Sequence, residues 1–134
     1  MPNTHPDPDH RVTAVPSTQH IRVEIDGQLV SSSSRPVLVY ETGLPVRYYL
    51  PAEDVNLTLF EPTDTHTTCP YKGEASYWSF HGGNTGADAA VRTDVAWSYQ
   101  EPLQSVLDIK RYLSFYDNVA DIQVTGEAPE PPAV

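Results

Sequence analysis

The side chains with the most chemical potential are Arg47, Tyr49, Cys69, Tyr71, Lys72, Tyr77, Trp97 and Tyr99. They combine two cations, a thiol and a set of rings in a chain whose formal net charge is −10. Aromatic walls with a few fixed cations suit a small anionic or planar ligand, because rings supply contact area and Arg or Lys fixes orientation. A plainer account of the same pattern makes the rings core and pairs Arg47 with Glu41 or Asp54. The two accounts part on whether the stretches around Arg47, Lys72 and Trp97 meet at one concavity.

Cys69 is the only cysteine, so an internal disulfide is excluded. As a catalytic nucleophile or redox centre it would need its thiolate favoured by a neighbouring cation. Lys72 follows three residues later, across a Pro70–Gly73 turn able to fold the ammonium toward the sulfur. Against that, a lone cysteine commonly packs as a small hydrophobe, and no histidine is adjacent; His66 and His81 only flank the segment. Pro70 fixes φ on one side of the turn, and Gly73 permits a positive φ or a close backbone approach on the other. Such a turn can present N–H groups to an anion, though it lacks the glycine pattern of a phosphate loop. Glu41, Asp54, Glu74, Asp94 and Glu101 are dispersed, with no close pair for acid–base work or for holding a catalytic metal. No Cys/His cluster has zinc-ligand spacing, so neither metal nor cofactor is expected.

These residues must be carried by strands. Ile21, Val23 and Ile25 alternate with polar residues, and Asp26-Gly27 before Gln28–Val30 is a hairpin signature, since both turn positions need positive φ. Ser31–Ser34 reads as a polar linker. Strands are expected at 36–40, 46–50 and 54–60, the last with Val55, Leu57 and Leu59 inward. In the second of these, Tyr48 and Tyr49 must face opposite ways. Residues 61–67 read as a polar loop, 75–80 as a strand and Gly82–Gly86 as a turn tip. Over 89–99, Val91, Val95, Trp97 and Tyr99 form one buried face. Pro102 opens a short helix using Leu103, Val106 and Leu107, and 112–116 and 122–124 close the fold as strands.

The expected architecture is therefore all-β and mainly antiparallel, either two packed sheets or a partly open barrel with one short helix. Thirteen prolines, concentrated toward the ends, mark residues 1–17 and 127–134 as disordered tails around a single domain at 18–126. The acidic balance provides no basic face for nucleic acid. No apolar run approaches the ~20 residues of a membrane span, nor is there a hydrophobic signal core, so cytoplasm is the expected location.

The run Thr68-Cys69-Pro70-Tyr71-Lys72-Gly73-Glu74-Ala75-Ser76-Tyr77-Trp78 resembles the domain of unknown function 427 family. So do Val46-Arg47-Tyr48-Tyr49 with Asp54-Val55, Ala96-Trp97-Ser98-Tyr99 with Pro102, and Phe115-Tyr116. The resemblance covers residues 20–125 in order. It implies a compact all-β domain of a bacterial family, labelled nucleotidyltransferase-like in some collections, with no substrate to carry over. The Gly-rich stretch between Phe80 and Asp94 departs from that pattern.

The leading functional expectation is a small-molecule-binding β domain. Its site would hold Arg47, Tyr49, Tyr71, Lys72, Gly73, Tyr77, Trp97 and Tyr99, and its ligand would be small and anionic or planar. The alternatives are an enzyme using Cys69, or a protein-interaction module able to form a homodimer through an exposed sheet edge.

Overall fold

The Asp26-Gly27 pair turns the chain as its composition requires: φ is +51° at Asp26 and +79° at Gly27. It joins β2 (His20–Ile25) to β3 (Gln28–Ser33) in an antiparallel hairpin. A computed structural model describes residues 10–82 and 91–132. Its remaining strands are β1 (Val12–Pro16), β4 (Val37–Glu41), β5 (Arg47–Pro51), β6 (Phe60–Cys69), β7 (Gly73–Phe80), β8 (Arg92–Tyr99), β9 (Tyr112–Phe115) and β10 (Ala120–Thr125).

Seven strands form one antiparallel sheet in the order β1-β4-β5-β9-β8-β7-β6, and three form a second in the order β10-β2-β3. The fold is thus all-β with two sheets and no closed barrel, as the alternation implied. Ile21, Val23, Ile25 and Val30 of the small sheet pack against Leu50, Val95, Ala96, Leu113 and Phe115 of the large one. A second cluster lies on the other side of the large sheet, built from Val37, Val39, Tyr49, Ala75, Tyr77, Trp97, Tyr99, Val106 and Ile109. Period-two alternation divides the tyrosine pair: Tyr48 packs against the first cluster while Tyr49 belongs to the second.

Several local expectations are corrected. Val12–Pro16, read as part of a tail, pairs with β4 in the register Ala14↔Val39, because Val12 and Ala14 have an apolar cluster to cover. Ser31 and Ser33 are buried strand residues rather than a linker; their hydroxyls bond Asp54, one to its carbonyl at 2.8 Å and one to its carboxylate at 2.6 Å. Up to Leu59 the expected strand at 54–60 is replaced by two single 3₁₀ turns (Ala52–Asp54 and Leu57–Leu59), with Val55 and Leu59 buried and Leu57 exposed, and only Phe60 is in strand form, as the start of β6. The expected loop at 61–67 is part of β6, a Thr-rich edge strand whose exposed positions show no apolar alternation. β-Branched Thr still favours the extended chain there. Pro62 and a register shift before His66 interrupt its pairing with β7.

After Pro102 the chain forms a 3₁₀ segment, Gln104–Ile109, in place of the short α-helix. The segment is kinked at Val106 (φ −129°, ψ 30°), with Val106 and Ile109 buried and Leu103, just before it, and Leu107 exposed. On β8 the odd-numbered face fails at Val91, which is 50 % exposed. Asp94 at φ +52° and a register shift between Trp78 and Phe80 break the period there. Of the glycine-rich tip, Gly82 has φ +66°, while residues 83–86 lie outside the described residues. No helix among the described residues is long and apolar enough to cross a membrane.

Candidate functional site

Strands β4 and β7 stand four places apart in the order of the large sheet, yet residues of both line one cavity, so the sheet curls around it. The cavity measures about 190 Å³. Arg47 and Tyr49 reach it from β5, Tyr77 from β7, Trp97 and Tyr99 from β8, and Lys72 from the β6–β7 turn. Each strand pair is spaced by two, so both members face the same side of the sheet. Val39 and Glu41 of β4, the Leu44-Pro45 turn and Tyr116 complete the lining.

The rings interlock. Trp97 and Tyr49 meet edge to face at 6.2 Å between centroids, and the Trp97 Nε1–H donates to the Tyr49 hydroxyl across 2.9 Å. Tyr99 lies 6.4 Å from Tyr49, and Tyr116 packs on Trp97 at 4.4 Å. Tyr77 shares a 2.8 Å hydrogen bond with Thr67. Burial raises the pKa of both Tyr49 and Tyr99 far above the ordinary phenol value, so each stays a neutral hydroxyl near pH 7. Burial, with a hydrogen bond to Tyr77, pushes Tyr116 up to about 12.

The charges are arranged asymmetrically. Glu41 accepts from the Lys72 ammonium with one oxygen and meets His10 Nε2 at 2.8 Å with the other. Burial alone would raise the Glu41 carboxyl, but the hydrogen bonds and charge of Lys72 and His10 outweigh it and hold the pKa below the usual range. Arg47 instead lies over the rings of Trp97 (5.5 Å) and Tyr116 (5.9 Å). Among the described residues it pairs with the exposed Asp117, at 3.9 Å. The expected pairing of Arg47 with Glu41 or Asp54 is therefore replaced: Glu41 takes Lys72, and Asp54 takes Arg35.

Three of the residues singled out from sequence do not line this cavity. Tyr71 turns outward and stacks on the His10 ring at 4.1 Å. Gly73 has φ +114°, and a Cβ there would come 3.3 Å from the Glu101 carbonyl oxygen, so its contribution is to let the chain pass close to residues 101–103. Cys69 is half-buried against the aromatic cluster without reaching the cavity. The turn does bring Lys72 N–H to the Cys69 carbonyl at 3.3 Å, but the Lys72 ammonium is bonded to Glu41.

A family model described as domain of unknown function (DUF427) matches residues 13–126. The chain belongs to the DUF427 family. No curated protein matches it. The DUF427 match spans every residue that lines the cavity, from Val39 to Tyr116, and it also takes in most of β1.

Sequence reasoning missed Glu41 as the partner of Lys72, and it missed Tyr116. Tyr116 did carry a signal, since Phe115 and Tyr116 are adjacent and must diverge: Phe115 enters the core between the sheets and Tyr116 the cavity. A wider groove of about 650 Å³ runs along Val46–Tyr48 and Asp117–Val124 and shares Arg47 with the cavity. It is open and rimmed by Asp117 and Asp121, so the aromatic cavity is the better enclosure for a ligand.

Proposed function

We propose that this DUF427 domain binds a small, planar, anionic molecule in the aromatic cavity. The observation that carries this reading is convergence. Arg47, Tyr49, Lys72, Tyr77, Trp97 and Tyr99, drawn from four separate stretches of sequence, surround one enclosure. Its volume of about 190 Å³ is below the roughly 300–1,000 Å³ of pockets for drug-sized ligands, which points to a smaller molecule.

The charge balance supports an anion. Lys72 and Glu41 neutralise one another, whereas Arg47 has a looser ion pair, at 3.9 Å, with the solvent-exposed Asp117. Arg47 is thus the less tightly paired of the two cations and the better placed to attract a ligand, and the rings of Trp97 and Tyr116 hold it in place through their negative faces.

A thermal-shift screen of small planar acids, followed by calorimetric titration of the hits, tests the reading. Arg47→Ala and Lys72→Ala are each expected to weaken a hit by roughly tenfold or more, the effect of losing a charged hydrogen bond or ion pair. Affinity unchanged in both variants would place the ligand elsewhere and end this assignment.

A further inference from the structure

Of the polar side chains lining the cavity, Arg47, Lys72 and Trp97 can only donate, the phenols of Tyr49, Tyr77, Tyr99 and Tyr116 can donate or accept, and the Glu41 carboxylate accepts. Trp97 can only donate, so the Tyr49 oxygen accepts its N–H and the Tyr49 hydroxyl proton needs another acceptor. None exists among the described residues, although Tyr49 is only 1 % exposed. Tyr99 is 5 % exposed, and its hydroxyl has no hydrogen-bond partner among the described residues. No fully buried side-chain nitrogen or oxygen among them lacks a partner, so the Tyr99 hydroxyl must border open space, and Tyr99 lines the cavity. Lys72 spends one of its three N–H groups on Glu41. The carboxylate of Glu41, by contrast, is engaged at both oxygens.

Protons that face the cavity are best met by a ligand that supplies acceptors. A carboxylate does this: two oxygens offer about four lone-pair positions and no proton. A monoanion suits the site better than a dianion, because Lys72 is paired with Glu41 and Arg47 is paired only loosely, at 3.9 Å, with the exposed Asp117. A cation is opposed by Arg47, which already holds the faces of Trp97 and Tyr116, and by Lys72. In size, about 190 Å³ matches some six water molecules at roughly 30 Å³ each, room for one ring and its substituent.

We propose that the ligand is a one-ring aromatic or heteroaromatic monocarboxylate whose carboxylate accepts from the Tyr49 and Tyr99 hydroxyls and is drawn by the charge of Arg47. This rests on the cavity being the binding site, and it adds the ligand's class and the groups that hold its carboxylate.

Benzoate, nicotinate, benzyl alcohol, benzyltrimethylammonium and inorganic phosphate serve as probes on the full chain, by calorimetry and by following the Trp97 indole N–H resonance. Benzoate or nicotinate is expected to bind at least roughly tenfold more tightly than the neutral, cationic and inorganic probes, and to shift that resonance. Tyr99→Phe should keep the fold, since no bond of its hydroxyl is lost, and should remove most of the preference for the acid. Rings that bind regardless of charge, phosphate that outcompetes benzoate, or a preference untouched by Tyr99→Phe would overturn the carboxylate assignment and leave the cavity as a site. Failure of every ring probe to bind or to move the indole resonance would overturn the cavity reading itself.

Discussion

Trp97 and Tyr49 are joined by a 2.9 Å hydrogen bond although β9 lies between their strands in the sheet. The indole and the phenol reach past that strand because the sheet curls, and their bond ties two walls of the cavity together. It also fixes the role of the Tyr49 oxygen, which accepts from Trp97. The Tyr49 hydroxyl is thus bonded within the protein, whereas the Tyr99 hydroxyl has no hydrogen-bond partner among the described residues.

That difference predicts opposite stability effects for two substitutions of the same kind. Tyr49→Phe strands the buried Trp97 N–H without an acceptor and is expected to lower stability by about 1–3 kcal/mol. For a domain of this size that is a fall of about 4 °C or more in Tm. Tyr99→Phe is expected to be neutral or slightly stabilising. Urea melts of the two variants beside the parent give the comparison; equal losses would show that the hydroxyls are not partnered as described.

Gly73→Ala should destabilise although position 73 carries no side chain to lose. Its φ of +114° is disfavoured for alanine, and the new methyl would press on the Glu101 carbonyl 3.3 Å away. Strain of this kind costs about 1–3 kcal/mol, and the turn carrying Lys72 would be displaced with it. Calorimetric melting of the variant is the check; a parental Tm would mean that the turn relaxes freely.

How far the sequence disclosed this site depends on which side of a strand carried the signal. Arg47 with Tyr49 and Trp97 with Tyr99 were legible because period two puts each pair on one face, and strands of mixed aromatic and cationic composition must bury the rings. Tyr71 misled because it sits between Pro70 and Lys72 in a turn, where no period dictates direction, and it left the cavity to stack on His10. Glu41 was visible as a partner for a cation, but the choice between Arg47 and Lys72 depended on the sheet's curl, a long-range property absent from any local window. The long strand β6 escaped for a different reason. Its Thr-rich residues face solvent at an edge, so no hydrophobic alternation marks it. Likewise β1 looked like tail because prolines flank it and its apolar residues are few, yet they cap an apolar cluster that exists only once β4 and β5 have paired.

Removal of residues 1–17 is therefore expected to destabilise the domain. It deletes the partner of β4 and uncovers Val37 and Val39, which are buried beneath the cluster that Val12 and Ala14 help to close. The loss should be on the order of 2 kcal/mol from apolar exposure alone. Equilibrium unfolding of the truncated chain reads it out, and an unchanged midpoint would mean that β1 contributes nothing to the fold.

Cys69→Ala should leave ligand affinity within about twofold of the parent, a change of under ~0.5 kcal/mol, because the thiol stands outside the cavity lining. Titration of the best planar acid against the variant measures this. A large loss of binding, or of any turnover found for the protein, would restore the thiol to the site.

The Glu41 cluster predicts a specific acid sensitivity. Lys72 and His10 both face the Glu41 carboxylate and depress its pKa below the 4.5 of an unperturbed glutamate. A carboxyl depressed in the folded state stabilises the protein fully above its unfolded pKa, and that contribution fades as pH falls through the lower, folded value. Glu41→Gln keeps the shape but removes the charge, leaving the Lys72 ammonium without its counterion. The variant should be less stable than the parent by about 1–3 kcal/mol at pH 6–7, the range for a hydrogen bond to a charged group left half-made. That gap should hold down to about pH 5 and then narrow as the parent's own carboxylate is protonated below 4.5. Urea midpoints of both proteins between pH 3 and pH 7 trace it. A gap that stays constant into the acid range, or widens there, would show that Glu41 is not the group holding Lys72.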